Sequence, residues 1–165
     1  MVSKNLVLTM ALAASCAFTS CAPKEEKHEA TLSVSGFEDY VRNSEKAAKE
    51  VSAADAVEVT DLIIEFGTLP SANQTGLCEV SGDSTPKITV NEKIWATLDF
   101  VSRQQVLFHE MGHCVLHRNH NAEMDSNMGL PKSMMYPFRI NGQIYSQFME
   151  QFHEELFDPS KRGQF

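Results

Sequence analysis

The stretch "HEMGHCVLHRNH", His109 to His120, holds four histidines and one glutamate within twelve residues. On a helix, Leu107, Met111, Cys114 and Val115 share one face and are expected to pack on a sheet, which turns Val106, His109, Glu110, His113 and His117 to the other side. Side chains four apart have Cβ atoms about 6 Å apart, so His109 and His113 can reach one ion together. His117 continues the spacing, but on an unbroken helix it lies about 12 Å along the axis from His109. It joins only if the helix unwinds just after His113. His120 can fold back once the helix ends, and a turn centred on His117, Arg118 and Asn119, with Asn119 left-handed, is the expected route. The expected ligand set is His109, His113 and His120, with His117 in reserve.

Imidazole nitrogens bind zinc at about 2.0–2.1 Å, so two ligating atoms stand at most about 4.2 Å apart, a limit that His109 and His113 satisfy. Glu110, directly after the first ligand, neighbours such an ion without being needed to hold it. There its carboxylate can take a proton from a water molecule activated by the metal and pass it to a leaving amine. The pattern is short, and in some helices such histidines are ordinary polar-face residues. The expected function is hydrolysis of peptide bonds in extended polypeptides by a zinc endopeptidase with one catalytic ion. The alternative, from a different class, is a surface module in which zinc serves structure only. A fourth protein ligand would favour that alternative, because structural sites are closed; an intact Glu110 argues against it.

Outward from this stretch, 165 residues, 42% of them hydrophobic, suit one domain with one core. The opening "MVSKNLVLTMALAASCAFTS" has one early lysine, an apolar run from Leu6 to Phe18 and then small residues. It is expected to be an export signal over 1–20, too short for a comfortable membrane span. The charged segment 21–34 is expected to be a tether, and 35–165 a single domain with its core at about 57–157. "FTSC" resembles the cleavage box of bacterial lipoproteins, with Phe18 where Leu is usual; the resemblance implies lipidation of Cys21 and attachment to a membrane facing the periplasm or exterior. Ordinary secretion is the alternative, and Cys16 fits the box less well. Cys78 and Cys114 remain in the domain, either bridged after export or as two buried thiols. A net charge of −8 argues against a nucleic-acid partner. The expected partner is a peptide or protein substrate, with membrane contact only through the lipid and a monomeric chain.

The remaining segments predict an α+β domain. Ser35 with Glu38 forms a capping-box pattern before a helix bearing Phe37, Tyr40, Val41, Ala48 and Val51 at helical spacing. "AVEVTDLIIEFG" predicts a strand from Val57 to Phe66, "LPSANQTGLCEVSGDSTP" a surface excursion, and "KITVNEKIW" another strand. A second capping box, Ser102 with Gln105, predicts the start of the histidine helix. "INGQ" predicts a tight turn, and "YSQFMEQFHEELF" a single closing helix with Tyr145, Phe148, Met149, Phe152 and Leu156 on its buried stripe. Met124, Met128 and Met134 are expected to be packing or loop residues. His28 and His153 are expected to be solvated.

"SMMYP", within Ser133 to Phe138, resembles the Met-turn of the metzincin metalloproteases, most closely the matrixin version. "TDLIIEFG", Thr60 to Gly67, is similar to the strand preceding the substrate-binding edge in matrixins. The resemblance covers about Val57 to Phe157. It implies a compact peptidase domain with a twisted mixed sheet, an active-site helix and a C-terminal helix. It also implies Met135 beneath the three imidazoles, and Pro137 and Phe138 as a wall of the pocket beside the scissile bond. The chain departs from the metzincin pattern H-E-x-x-H-x-x-G-x-x-H: Leu116 stands at the glycine, Asn119 at the third histidine, and His120 comes one residue late. Pro137 occupies the place of a tyrosine that assists catalysis in other metzincins, so Tyr136 is given no such role.

Overall fold

The computed structural model describes residues 31–164; the expected export signal, Cys21 and His28 lie outside the described residues. A two-residue strand, β1 (Leu32–Ser33), precedes helix α1 (Glu38–Val51). Tyr40, Val41, Ser44, Ala47 and Ala48 form its buried stripe, as the helical spacing predicts. The Ser35 capping box does not form: α1 starts from Phe37 with no side-chain cap, and the Glu38 carboxylate accepts instead from the Gly36 N–H at 2.9 Å. Phe37 is only 1% exposed and packs against Phe66 and Trp95. Burying that ring is worth roughly 1.5–3 kcal/mol, more than the roughly 1 kcal/mol of a typical cap.

The strand expected over 57–66 is confined to β2 (Leu62–Phe66). Val59 is buried, but its N–H donates to the Glu45 carboxylate on α1 at 2.8 Å, and that segment stays outside the sheet. The expected surface excursion contains a strand, β3 (Gly76–Glu79), antiparallel to β4 (Lys87–Val90). Only four residues long and opened by a glycine, β3 sends little strand signal; pairing with β4 creates it. The sheet order is β1-β2-β4-β3, with β1, β2 and β4 parallel and β3 antiparallel at one end.

After β4, the short helix α2 (Glu92–Trp95) is capped by Asn91, and α3 (Phe100–Cys114) starts earlier than the Ser102 capping box suggests. Asp99 is its cap, accepting from the Ser102 N–H at 2.8 Å. The predicted division of α3 into a packed and an open face also needs correction. Leu107, Met111 and Cys114 are buried as expected, but Val106 and Glu110 are buried too. The sheet covers one side of α3, and the C-terminal segment covers another, where Phe108 meets Phe157 and Gly112 meets Met135 and Leu156.

The closing helix is two helices, α4 (Gly142–Gln147) and α5 (Met149–Phe157), separated by Phe148. Asn141, expected in a tight turn, is the N-cap of α4 and accepts from the Gln143 N–H at 2.9 Å. Tyr145 of α4 and Phe152, Leu156 and Phe157 of α5 all lie in the core despite the break. The described chain is therefore an α+β fold with a mixed four-stranded sheet and five α-helices. Among the described residues, no helix is long and apolar enough to cross a membrane.

Candidate metal centre

At the end of α3 the Val115 and Leu116 N–H groups both donate to the Met111 carbonyl, and the Arg118 N–H reaches back to that of Gly112. The residue that takes left-handed backbone is His117, with φ 53°, and not Asn119. His117 thus serves as the pivot of the turn. The reversal brings His120 back over the helix, and His109, His113 and His120 form a group able to hold a metal ion, their ligand atoms all within 4.8 Å of one another. The reserve ligand His117 is not in this group.

The His109 Nδ1–H donates to the Met134 carbonyl at 2.8 Å, and the His113 Nδ1–H to the Arg118 carbonyl at 2.6 Å. Carbonyl oxygens only accept, so both rings carry their proton on Nδ1 and aim an Nε2 lone pair at the common point. His120 Nε2 lies 3.1 Å from that of His113 and 3.3 Å from that of His109. Nitrogens on a tetrahedral zinc at 2.0–2.1 Å stand about 3.3–3.4 Å apart. The three side chains therefore fit such an ion, and a cation relieves the repulsion of lone pairs held so close. Burial is the main cause that lowers the pKa of both His109, to about 4, and His113, with the other rings of the group adding to it. Both rings are neutral near pH 7, the form that binds metal.

Glu110 lies beside the group, only 8% exposed, with its carboxylate accepting the Cys78 N–H. Burial pushes its pKa up to about 7 against that hydrogen bond. A Cβ on Gly76 would stand 2.7 Å from Glu110 Oε1, so β3 approaches α3 this closely only because position 76 has no side chain. Cys78 and Cys114 are bridged, with Cα atoms 5.6 Å apart, which decides the alternatives left open by the sequence and ties β3 to α3.

A cavity of about 540 Å³ is lined by His109, Glu110, His113 and His120, by Leu77 on β3 and by Pro137 and Phe138. Pro137 and Phe138, which the Met-turn resemblance implies as a pocket wall beside the scissile bond, line this cavity. Met135 is fully buried, packed on Gly112 beside His113, and its carbonyl accepts the Asn121 N–H next to His120 at 2.9 Å. It braces both the helix and the returning loop. Met134 is buried as packing, while Met124 and Met128 are exposed.

His153 contradicts its expected solvation. Its Nε2 accepts from the Tyr145 hydroxyl at 2.8 Å, Tyr145 accepts from Gln104 at 3.0 Å, and burial lowers the His153 pKa to about 4. The neighbouring Glu154 and Glu155 suggested a wet face; packing of α5 on Phe108 of α3 dried it. Sequence reasoning also missed Gly76, the Cys78 N–H, Arg118 and Glu155, whose roles depend on contacts between distant segments. Nothing among known protein families, curated proteins or solved structures matches the chain.

Proposed function

We propose that the chain is a zinc-dependent endopeptidase of metzincin type that cleaves extended polypeptides. The observation that carries this reading is the convergence of three histidine Nε2 atoms on one point beside a buried carboxylate, all on the wall of one cavity. A structural zinc would need a fourth protein ligand; among the described residues the group has three members, and each of them faces the cavity. Zinc bound there would supply Lewis acidity toward a carbonyl oxygen and bring the pKa of a water molecule down to about 7.

Glu110, buried on the wall of the same cavity, takes the proton from the attacking water and delivers it to the leaving amine. Cys78 N–H and the glycine at 76 hold that carboxylate in place. β3 ends the sheet order, and Gly76, Leu77 and Cys78 line the cavity, so its outer edge is suited to pair with the main chain of an extended substrate. Export and lipid attachment at Cys21 belong to the same proposal, and Cys21→Ala is expected to move the protein from the membrane to the soluble fraction.

The test combines elemental analysis with casein cleavage on wild type and Glu110→Gln. One zinc per chain in both, with activity in the wild type reduced about 10²–10⁴-fold in the variant, is the expected result. Zinc in both with no cleavage of casein or a broad peptide library would leave the ion a structural role.

A further inference from the structure

The two carbonyls that orient His109 and His113 belong to Met134 and Arg118, which are distant in sequence and lie on separate loops. Both residues are held by one side chain of α5. Glu155 Oε2 accepts the Met134 N–H at 3.2 Å and the Ser133 hydroxyl at 2.8 Å, while Glu155 Oε1 accepts from Arg118 Nη2 at 2.5 Å. Ser133 Oγ in turn accepts the Met135 N–H at 2.9 Å. Arg118 is 2% exposed, and its Nη1 donates to the carbonyls of Glu155 and Leu156 at 2.8 and 3.0 Å. Lys161 Nζ, 3.5 Å from Oε1, adds a second positive charge.

From this geometry we infer that Glu155 is a positioning residue for the metal: one carboxylate clamps both segments whose carbonyls aim the ligand imidazoles. Each half of the clamp has a distinct task. Oε2 sets the height of Met134 and hence the tilt of the His109 ring; Oε1, through Arg118, sets the turn whose carbonyl takes the His113 proton. Neither Met134 nor Arg118 can shift without straining a hydrogen bond to the same side chain, so the two rings stay in register with each other. Loss of a ligand's direct hydrogen-bond partner typically changes metal affinity about 10–100-fold, and Glu155 acts one hydrogen bond further out, by placing the two carbonyls that are those partners.

The inference rests on the metal-site part of the proposed function and not on hydrolysis. The test is titration of the metal-free protein with Co²⁺, followed by its visible absorption, and with Zn²⁺ in competition with a chelator. It compares wild type, Glu155→Gln, Ser133→Ala and His153→Gln. Glu155→Gln keeps the size and an acceptor but loses the charge that binds Arg118. It is expected to weaken both metals at least about tenfold and to alter the Co²⁺ bands. Ser133→Ala, which leaves Glu155 with fewer donors, moves the same way by a smaller factor. His153→Gln disturbs another side of the same helix and leaves affinity and bands unchanged.

Equal affinities and spectra in wild type and Glu155→Gln would overturn the inference while leaving the metal reading intact. So would a loss in His153→Gln as large as in Glu155→Gln, since it would trace to helix stability alone. If Glu155→Gln does not fold, Ser133→Ala decides: an unchanged affinity there refutes the clamp. A wild type that binds neither metal overturns this inference and the proposed function together; one that binds metal as expected but cleaves nothing removes only the hydrolase reading.

Discussion

At the level of single residues, His117 and His120 differ most between spacing and outcome. His117 keeps the helical interval, yet its backbone turns left-handed and removes it from the group, while His120 gains its place from that same turn. His120→Ala is expected to lose the metal on dialysis, and His117→Ala to retain one equivalent, with elemental analysis deciding. Glu110 and His113 were legible because a motif of five residues sets both on one short stretch of helix. His153 was not, because its burial depends on Tyr145 and Phe108. Its folded pKa, about 4, lies below the ordinary 6.5, so the unfolded chain takes up the proton first as pH falls. Stability is therefore lost from about pH 6.5 downward until the folded ring also protonates near 4. In metal-free protein the melting temperature should drop between pH 7 and pH 5, and the drop should be smaller in His153→Gln. His109 and His113 lose stability in the same direction, so part of the drop should remain in that variant, and equal drops would show that His153 contributes none of it.

Among the elements, α3, α5 and most of α1 could be anticipated from periodicity, whereas β3 could not. Four residues opening with glycine form a strand only because β4 offers its edge and Cys114 its sulfur. The same glycine is where the sheet meets the Glu110 side chain. Gly76→Ala would place a methyl group against the Glu110 side chain, which is packed in and cannot yield freely. Activity is expected to fall about 100-fold, the scale of an ångström displacement of a reacting group, with metal content unchanged. Loss of metal together with activity would instead mean that the strain passes into α3 as a whole. The capping boxes at Ser35 and Ser102 failed for a comparable reason: Phe37 found an aromatic pocket and Asp99 offered a carboxylate earlier, and the competing contact won in each case.

At the scale of the whole fold, the sheet and the C-terminal helix both pack on α3, the histidine helix, and one covalent link reinforces that packing. The Cys78–Cys114 bridge spans 36 residues, and in the chain-entropy account closing a loop of that length stabilises by about 3–4 kcal/mol. Replacing both cysteines with serine should lower the unfolding free energy by about that amount, read from denaturant unfolding with the slope fitted separately for each protein. A change under about 1 kcal/mol would mean that packing alone holds β3. The sequence by itself determined the α+β class and the stretch whose histidines could serve as ligands, because these follow from local spacing and composition. Only the tertiary structure decided which third histidine completes the group, that the cysteines meet, and that Arg118 and Glu155 lie beneath the site. Those outcomes depend on where a chain reversal places residues remote in sequence, and on the cost of leaving a buried charge or carbonyl without a partner.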